Sequence, residues 1–192
     1  MTITERTELL DAIDLLLLRR SCSALQAPAP EGEALLTILR AALRVPDFQR
    51  LRPYEFILAA GAGLDKLGAL LERAALTAGQ PAAVVARAPR MPHRAPLVVI
   101  VAARARASKI VSLFEQQLTA GCAVMAMQMA AVAQGFGGIW RSGWPMFDRG
   151  LHDALELAPD DQIVGFLYLG TPASAPGELG ASVEPEDFIR WL

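Results

Sequence analysis

GCAVMAMQMAAVAQGFGGIWRSG, residues 121–143, is the stretch of this 192-residue chain that decides its fold. No Asp, Glu, Lys, Arg or His occurs over residues 116–140, and charge returns at Arg141, after a cluster of glycines. A helix that is apolar on every side is buried on every side. The stretch therefore predicts a long buried helix over about residues 109–134, followed by a glycine-rich turn, an aromatic residue and an arginine.

The same uncharged run is long enough to raise the alternative of a transmembrane helix, because about 20 apolar residues span a bilayer. The run is rich in Ala and Met rather than Leu and Ile, and it includes Thr119, Gln128 and Gln134. These features favour a helix inside a soluble domain over a membrane span. In a chain of this length, a helix surrounded by protein also indicates that a second subunit covers one of its sides.

Composition points to one cytoplasmic domain over residues 1–192, with 53% hydrophobic and 20% charged residues. A net charge of -2 and a pI near 5.7 do not indicate a nucleic-acid-binding protein. The cysteines, Cys22 and Cys122, are far apart, and the histidines, His93 and His152, are too few for a multi-histidine metal site. We therefore expect free thiols, a reducing compartment, no metal and no signal peptide.

Apolar periodicity and turn residues predict alternating helices and strands along the chain. The predicted elements are helices at about 5–18 and 33–43, a strand at 54–59, a helix at 64–78, a strand at 96–103, the long helix, a strand at 139–141, a helix at 148–157 and a strand at 162–170. Residues 80–95, rich in Ala, Pro and Arg, are predicted to be the most mobile stretch. This order indicates an α+β or α/β domain with a mixed sheet between helices.

Two arginine-containing segments have both a structural and a functional interpretation. Arg19, Arg20 and Ser21 follow the first predicted helix, where cations complement the negative end of the helix dipole. The same guanidinium groups could hold a phosphate through bidentate hydrogen bonds. The loop after Arg44, residues 46–53, is either a solvated loop or an anion clamp. The pattern of these residues leaves both interpretations open.

Taken together, these segments resemble the nitroreductase family, and within it the small NAD(P)H-dependent members that bind FMN. The resemblance rests on RRS at 19–21, the loop at 46–54 ending in Pro-Tyr, the run at 121–143 and VGFLYLGTP at 164–172. It covers roughly residues 10–172. The long run and VGFLYLGTP, at the right distance from each other, are its specific part.

The resemblance implies a nitroreductase-like three-layer α/β/α sandwich of the α+β class, with a mixed central sheet. It also implies an intertwined obligate homodimer with two FMN sites at the subunit interface. Residues 10–172 would form the core of the single domain. Residues 173–192, which end in apolar side chains, would form a C-terminal arm that packs on the partner subunit.

The resemblance carries individual FMN contacts over to this chain. These contacts are Arg19, Arg20, Ser21, Arg44, Pro46, Phe48, Trp140, Arg141 and Ser142. The first three would hold the phosphate, the next three would reach FMN from the other subunit, and the last three would lie along the isoalloxazine ring. Residues 130–135 correspond to a nicotinamide-nucleotide segment. Gln134 and Gly135 are the candidate contacts there, because packing explains most of a buried helix end.

The implied function is transfer of electrons from NADH or NADPH through FMN to a nitroaromatic, a quinone or a similar flat acceptor, in a ping-pong cycle. Arginine and hydroxyl donors suit a flavin phosphate, and glycines let the backbone approach a flat ring. FMN carries the redox chemistry, so the protein needs no catalytic acid, base or nucleophile. The absence of an evident triad or metal cluster from the sequence agrees with this interpretation.

Two departures from the family pattern favour an alternative function. The related enzymes carry His where this chain has Phe48, and no Lys or Arg occurs in residues 173–176, where a basic residue is common. The alternative is a degenerate member that binds flavin, or nothing, without efficient NAD(P)H turnover. A further alternative is a structural helical module in which the arginines serve only as helix-end charges.

Overall fold

An antiparallel sheet lies between two layers of helices in the computed structural model, which describes residues 12–174 and 183–192. The strands are β1 (Leu25–Gln26), β2 (Glu55–Ala60), β3 (Leu97–Ala103), β4 (Gly137–Arg141) and β5 (Gln162–Pro172). The α-helices are α1 (Ala12–Leu18), α2 (Gly32–Ala42), α3 (Ala62–Thr77), α4 (Ala82–Arg87), α5 (Leu113–Ala133) and α6 (Arg149–Ala154). Single-turn 3-10 helices occur at Phe48–Arg50, Ala88–Arg90, Pro92–Arg94, Trp144–Met146 and Pro185–Phe188.

The long strand β5 organises the sheet, because it pairs with β1, β3 and β4, while β2 pairs with β3. Leu169 of β5 has Leu97 of β3 as one partner and Gly138 of β4 as the other. Among the described residues every pairing is antiparallel, whereas the sequence predicts a mixed sheet. β3 and β4 run in the same direction, but β5 lies between them, so the α5 crossover creates no neighbouring parallel pair.

The three layers follow from alternation along the buried strands. In β3, Val98 and Ile100 belong to the core under α3, α4 and α6. Val99 and Val101 belong to the core under α2 and α5. All seven residues of β3 are buried, as expected for a strand covered on both faces. The predicted α+β class, the three layers and the fully buried strand are confirmed.

Helix α5 begins later than its sequence prediction. Ser112 is its N-cap: the Glu115 amide donates to Ser112 Oγ over 3.3 Å, and the Ser112 amide donates to Glu115 Oε2 over 2.8 Å. This capping box makes Leu113 the first helical residue, so the predicted start near Lys109 is wrong. The Ser-x-x-Glu spacing is present in the sequence and is sufficient to locate this start.

Only one side of α5 is buried within the chain. Ala123 and Met127 are fully buried against the sheet, but on the outer side Phe114 is 66% exposed and Leu118 is 53% exposed. The sequence predicts that α5 is buried on every side, but the chain itself buries only one side of this helix. Within the described ranges, no helix combines the length and the apolar character that a bilayer crossing requires.

Residues 80–95 form α4 and two helical turns packed on α3, and the mobility expected of this stretch stays a prediction. The close contact depends on Gly68 of α3, because a Cβ there would overlap the carbonyl oxygen of Pro89. The remaining predicted elements differ from the observed ones by a few residues at their ends. The predicted start of the first helix lies outside the described residues.

A buried carboxylate ties together the ends of three strands. Asp161, 1% exposed, accepts hydrogen bonds from the amides of Ala105 and Ala158, each over 2.8 Å. Its Oδ2 also lies 2.9 Å from Nε of Arg104, which pairs in addition with Glu55 of β2. This cluster connects the start of β2, the end of β3 and the start of β5, because the carboxylate of Asp161 binds three N–H groups from its surroundings.

His152 of α6 is buried with both ring nitrogens in use. Nδ1 lies 2.7 Å from the Asp148 carbonyl oxygen, and the Ile163 amide donates to Nε2 over 3.2 Å. Since Nδ1 faces an acceptor and Nε2 faces a donor, this geometry fits the neutral ring with its hydrogen on Nδ1. Burial lowers the pKa of His152. The neutral ring thus fastens α6 to β5.

Replacing Asp161 by Asn should destabilise the fold by about 2–4 kcal/mol, because the Arg104 charge loses its buried partner and the new amide donor faces an N–H group. Urea denaturation monitored by circular dichroism measures this change. Asp160→Asn, at the exposed neighbouring position, is the control and should change the free energy of unfolding by less than about 0.5 kcal/mol. Equal stability of the two variants would contradict the role given to Asp161.

The neutral state of His152 predicts a pH-dependent stability. Its folded-state pKa is lowered below the unfolded value of about 6.5, so between those values the unfolded chain binds more protons. This contribution is complete above about pH 6.5 and falls as the pH decreases, by at most about 1.4 kcal/mol per pH unit. Urea unfolding between pH 5 and 8 should show a steeper loss for the native chain than for His152→Asn, and equal slopes for the two proteins would contradict the neutral buried ring.

Candidate functional site

A cavity of about 440 Å³ opens on the α3 side of the sheet, between β4, the turn that follows it and the helical turns at 87–94. Its lining is Leu71, Arg87, Met91, Arg94, Ile139, Trp140, Arg141, Ser142, Gly143, Trp144, Pro145, Phe166 and Tyr168. Three guanidinium groups are among these side chains, and no carboxylate is among the described residues that line the cavity. The cavity is therefore cationic and rich in hydrogen-bond donors.

Two buried nitrogens at this cavity have no hydrogen-bond partner within the described part of the chain. They are Nε of Arg141 and Nε1 of Trp144. Buried donors are rarely left unpaired, because each one loses its hydrogen bonds to water at a cost of about 1–3 kcal/mol. Their position at the wall of a cavity makes them available as donors to a ligand with acceptor atoms.

Tyr168 lies between β3 and β4 in the sheet and contributes a buried phenol to the cavity. The guanidinium carbon of Arg141 lies 5.7 Å from the centre of its ring. Burial raises the pKa of Tyr168, while the charges of Arg94 and Arg141 act in the opposite direction. Burial is the larger effect, so the phenol is neutral at physiological pH and can donate a hydrogen bond.

Trp140 and Arg141 are neighbours in β4 and their side chains point to opposite faces of the sheet. The Trp140 indole nitrogen donates to the Val164 carbonyl oxygen over 3.2 Å, and its ring lies over Gly165 on the α5 side. A Cβ on Gly121 of α5 would lie 3.6 Å from Trp140 Cη2. The indole of Trp140 thus packs between α5 and β5, whereas Arg141 faces the cavity with Tyr168.

The segment Arg19–Ser21 runs toward the same strand. Its next residue, Cys22, donates its amide to the Gly138 carbonyl oxygen over 2.9 Å. That oxygen also accepts from Nε2 of the buried Gln128 over 2.9 Å. Leu25 pairs farther along the edge with Pro172, so the chain passes Gly138 before it enters β1. The predicted phosphate segment therefore ends next to β4, the strand that carries Trp140 and Arg141.

Arg44, Pro46 and Phe48 do not join this group within one chain. They follow α2, which packs on the α5 side of the sheet, while the cavity opens on the α3 side. The loop leads into β2, which is separated from β4 by β3 and β5, or about 14 Å at ordinary strand spacing. Phe48 is 66% exposed.

The loop that carries Phe48 is held by one carboxylate. Asp47 accepts from the amide of Leu51 over 3.1 Å and from that of Arg52 over 2.8 Å. Gln49, Arg50 and Arg52 adopt positive φ angles of 64°, 53° and 48°. Such angles are unusual for residues with a side chain and persist where surrounding contacts determine them. The exposed aromatic ring is therefore presented by a defined loop.

Gln134 and Gly135, the candidate nicotinamide contacts, lie at the end of α5 and precede β4. Gln134 Nε2 donates to the Ala130 carbonyl oxygen over 3.0 Å. Ser142 follows the opposite end of β4, whose five residues span about 13 Å as an extended strand. The structure thus places these two residues apart from the cavity, and their contact with a nucleotide stays a prediction.

Several residues at the cavity were missed by sequence reasoning. Arg87, Met91 and Arg94 come from the Arg- and Pro-rich stretch without clear periodicity, and Trp144 comes from a turn. Tyr168 is within the quoted motif at 164–172, and its alternation with Leu167 and Leu169 is the signal that would place it on the cavity face. The sequence shows the three arginines of 87–94 only as part of an Arg-rich stretch, and this composition does not indicate where their side chains lie.

Comparison with known proteins identifies the family of the chain. The family model described as "Nitroreductase family" matches residues 16–171. The Escherichia coli protein named putative NAD(P)H nitroreductase YdjA is 48% identical over 183 residues, covering 95% of this chain and 100% of that protein.

Solved structures of low sequence identity share the fold. A nitroreductase-like family protein from Bacillus cereus is 21% identical, covers 94% of this chain and 95% of its own, and superposes with a TM-score of 0.81. A Bacteroides fragilis nitroreductase with bound FMN is 20% identical, covers 90% of this chain and 94% of its own, and has a TM-score of 0.70. The predicted nitroreductase-like fold is confirmed.

Gly165→Ala should destabilise the protein by about 1–3 kcal/mol, because the added Cβ would overlap the Trp140 indole. In a Trp140→Ala background the same substitution should cost much less, so a double-mutant cycle of unfolding free energies measures the contact. Gly63→Ala is the matched control, since its Cβ would meet only Ala59 Cβ at 3.8 Å. Additive effects of the Gly165 and Trp140 substitutions would contradict the packing described.

Proposed function

Because the chain belongs to the nitroreductase family, we propose that it is an FMN-dependent oxidoreductase that transfers electrons from NAD(P)H to a nitroaromatic, a quinone or a similar flat acceptor. The observation that carries the proposal is the cationic cavity, where Arg141 and Trp144 present buried donors without a partner. A flavin ring has carbonyl oxygens and ring nitrogens along its polar edge, which are the acceptors that such a cavity needs.

The residues present fit FMN at both of its ends. FMN, when bound, supplies the redox chemistry. Arg141 Nε and Trp144 Nε1 would donate to the polar edge of the ring, and the Ser142 hydroxyl lines the same cavity. Arg19 and Ser21, on the segment beside β4, would hold the phosphate through charge-assisted hydrogen bonds. Arg20 lies between them, and Trp140 would support the ring segment from the opposite face of the sheet.

A homodimer is part of this proposal. The outer side of α5 exposes Phe114, Leu118 and Met125, an apolar face that a second copy of the chain would cover. Arg44, Pro46 and Phe48 do not reach the cavity of their own chain, so in a dimer they would approach the cavity of the partner. Each FMN site would then be completed by both subunits.

The C-terminal arm supports the same assembly. Among its described residues, Phe188 is 78% exposed and Trp191 is 89% exposed. Large apolar side chains at the end of a chain are stabilised when they dock on another surface. We propose that this arm packs on the partner subunit, and that the assembly works in the cytoplasm, where NAD(P)H is available and free cysteines persist.

Phe48 favours one competing function. Its ring can stack on or flank a flavin but cannot donate a hydrogen bond, and residues 173–176 supply no basic group near the phosphate. Arg50 and Arg52 of the same loop could compensate. Without compensation, the chain would bind FMN weakly and would serve as a flavin-binding protein without efficient NAD(P)H turnover.

The purified protein should be yellow or become yellow with FMN, and NADH or NADPH should bleach its visible absorption in an anaerobic cuvette. Arg141→Gln should raise the Kd of FMN at least about tenfold, as expected for loss of a charge-assisted hydrogen bond. Fluorescence quenching of FMN measures the Kd. Arg90→Gln, an exposed arginine of the same helical region that does not line the cavity, is the control.

A protein that stays colourless after incubation with FMN would contradict the proposed function. Bound FMN without NADH or NADPH oxidation in the presence of menadione or nitrofurazone would instead establish the flavin-binding alternative. Sedimentation velocity of the same samples tests the dimer separately, because a monomer with tightly bound FMN would contradict the shared site.

A further inference from the structure

The cavity holds more positive charge than its own surroundings neutralise. Arg87, Arg94 and Arg141 line it, and none of them takes part in the salt bridges found among the described residues. Arg87 and Arg94 have exposed side chains at its wall, while Arg141 is half-buried. A ligand that brings negative charge into this cavity is therefore favoured over a neutral ligand of the same shape.

Two of these charges act on the same side chain, Tyr168. The Arg141 guanidinium lies 5.7 Å from the centre of the Tyr168 ring, and Arg94 is close enough to the Tyr168 hydroxyl to act on it electrostatically. The wall that carries Arg94 is set by the close contact of Gly68 with Pro89. Arg94 and Arg141 thus approach the same part of the cavity from the helical segment and from β4.

The two redox states of FMN differ in the charge of the ring. The oxidised ring is neutral. Uptake of one hydride from NAD(P)H, which brings two electrons and one proton, gives a reduced ring with one negative charge when no second proton follows, and NAD(P)⁺ leaves. The negative charge is shared by the ring nitrogen N1 and the adjacent carbonyl oxygen. A cationic cavity therefore distinguishes the two states.

We propose that Arg94 and Arg141 bind the reduced, anionic ring of FMN more tightly than the oxidised ring, so that both residues raise the midpoint potential of the bound flavin. The proposal rests on the proposed function, since it requires FMN in this cavity. Arg94 would then help to set the midpoint potential of the bound flavin. The effect requires a positive charge at this position and not a particular hydrogen bond.

The test compares midpoint potentials and FMN affinities of the FMN-loaded full-length protein and its variants. Arg94→Gln removes the charge and keeps a polar side chain, and Arg94→Lys keeps the charge. Arg141→Gln removes the half-buried charge, and Arg90→Gln is the control in the same segment outside the cavity. Equilibration with a redox dye of known potential gives the midpoint potential, and fluorescence gives the Kd of oxidised FMN.

The preference for the reduced ring is the ratio of the affinities for reduced and oxidised FMN. We expect Arg94→Gln to reduce this ratio at least about threefold, which lowers the midpoint potential by about 14 mV for a two-electron couple. Arg141→Gln should reduce it at least about tenfold, or about 30 mV. Arg94→Lys and Arg90→Gln should stay within about 5 mV of the native protein. The Kd of oxidised FMN should change less than about threefold in Arg94→Gln, because the oxidised ring is neutral.

Each of the remaining outcomes would contradict a different part of the proposal. Equal potentials in the native protein and Arg94→Gln, with FMN bound to both, would overturn this proposal and leave the proposed function intact. A loss of potential in Arg94→Lys equal to that in Arg94→Gln would overturn the role of charge. Failure of the native protein to bind FMN would overturn both the proposed function and the proposal.

Discussion

The pairing of β5 with strands on both of its sides is the constraint on which the other features depend. Because Leu169 has partners in both β3 and β4, the central strand is buried along nearly its whole length, and it fixes the position of β4 relative to the core. β4 then carries Arg141 into the cavity, and its Gly138 carbonyl oxygen receives the amide of Cys22. The position of the candidate site therefore follows from the pairing of the strands in the sheet.

The two faces of this sheet differ in the side chains that they present. The α5 face is closed by apolar side chains and exposes a further apolar surface beyond the helix, which suits assembly with a second copy. The α3 face encloses a cavity whose charges lack carboxylate partners among the described residues, which suits an anionic or acceptor-rich ligand. A shared flavin site would draw on both faces, with Arg141 supplied by one chain and Phe48 by the other.

Local sequence patterns predicted the elements whose burial is nearly uniform. The apolar runs of β3 and β5 are such elements, and two residues named by the resemblance, Arg141 and Ser142, line the cavity. The position of Arg94 at the cavity could not be predicted in this way, because the segment that carries it packs on α3 at the contact of Gly68 with Pro89, 21 positions apart in the sequence. The antiparallel sheet likewise depends on β5, the last strand among the described residues.

The alternation of Trp140 and Arg141 has a consequence for how β4 can change during evolution. Side chains of a strand exchange faces when its length changes by one residue. A single deletion or insertion between Gly137 and Trp140 would turn the arginine toward α5 and the indole into the cavity. Individual side chains of β4 can therefore be exchanged for others of similar character, whereas its length is fixed, and gaps in this strand should be absent from descendants that keep the site.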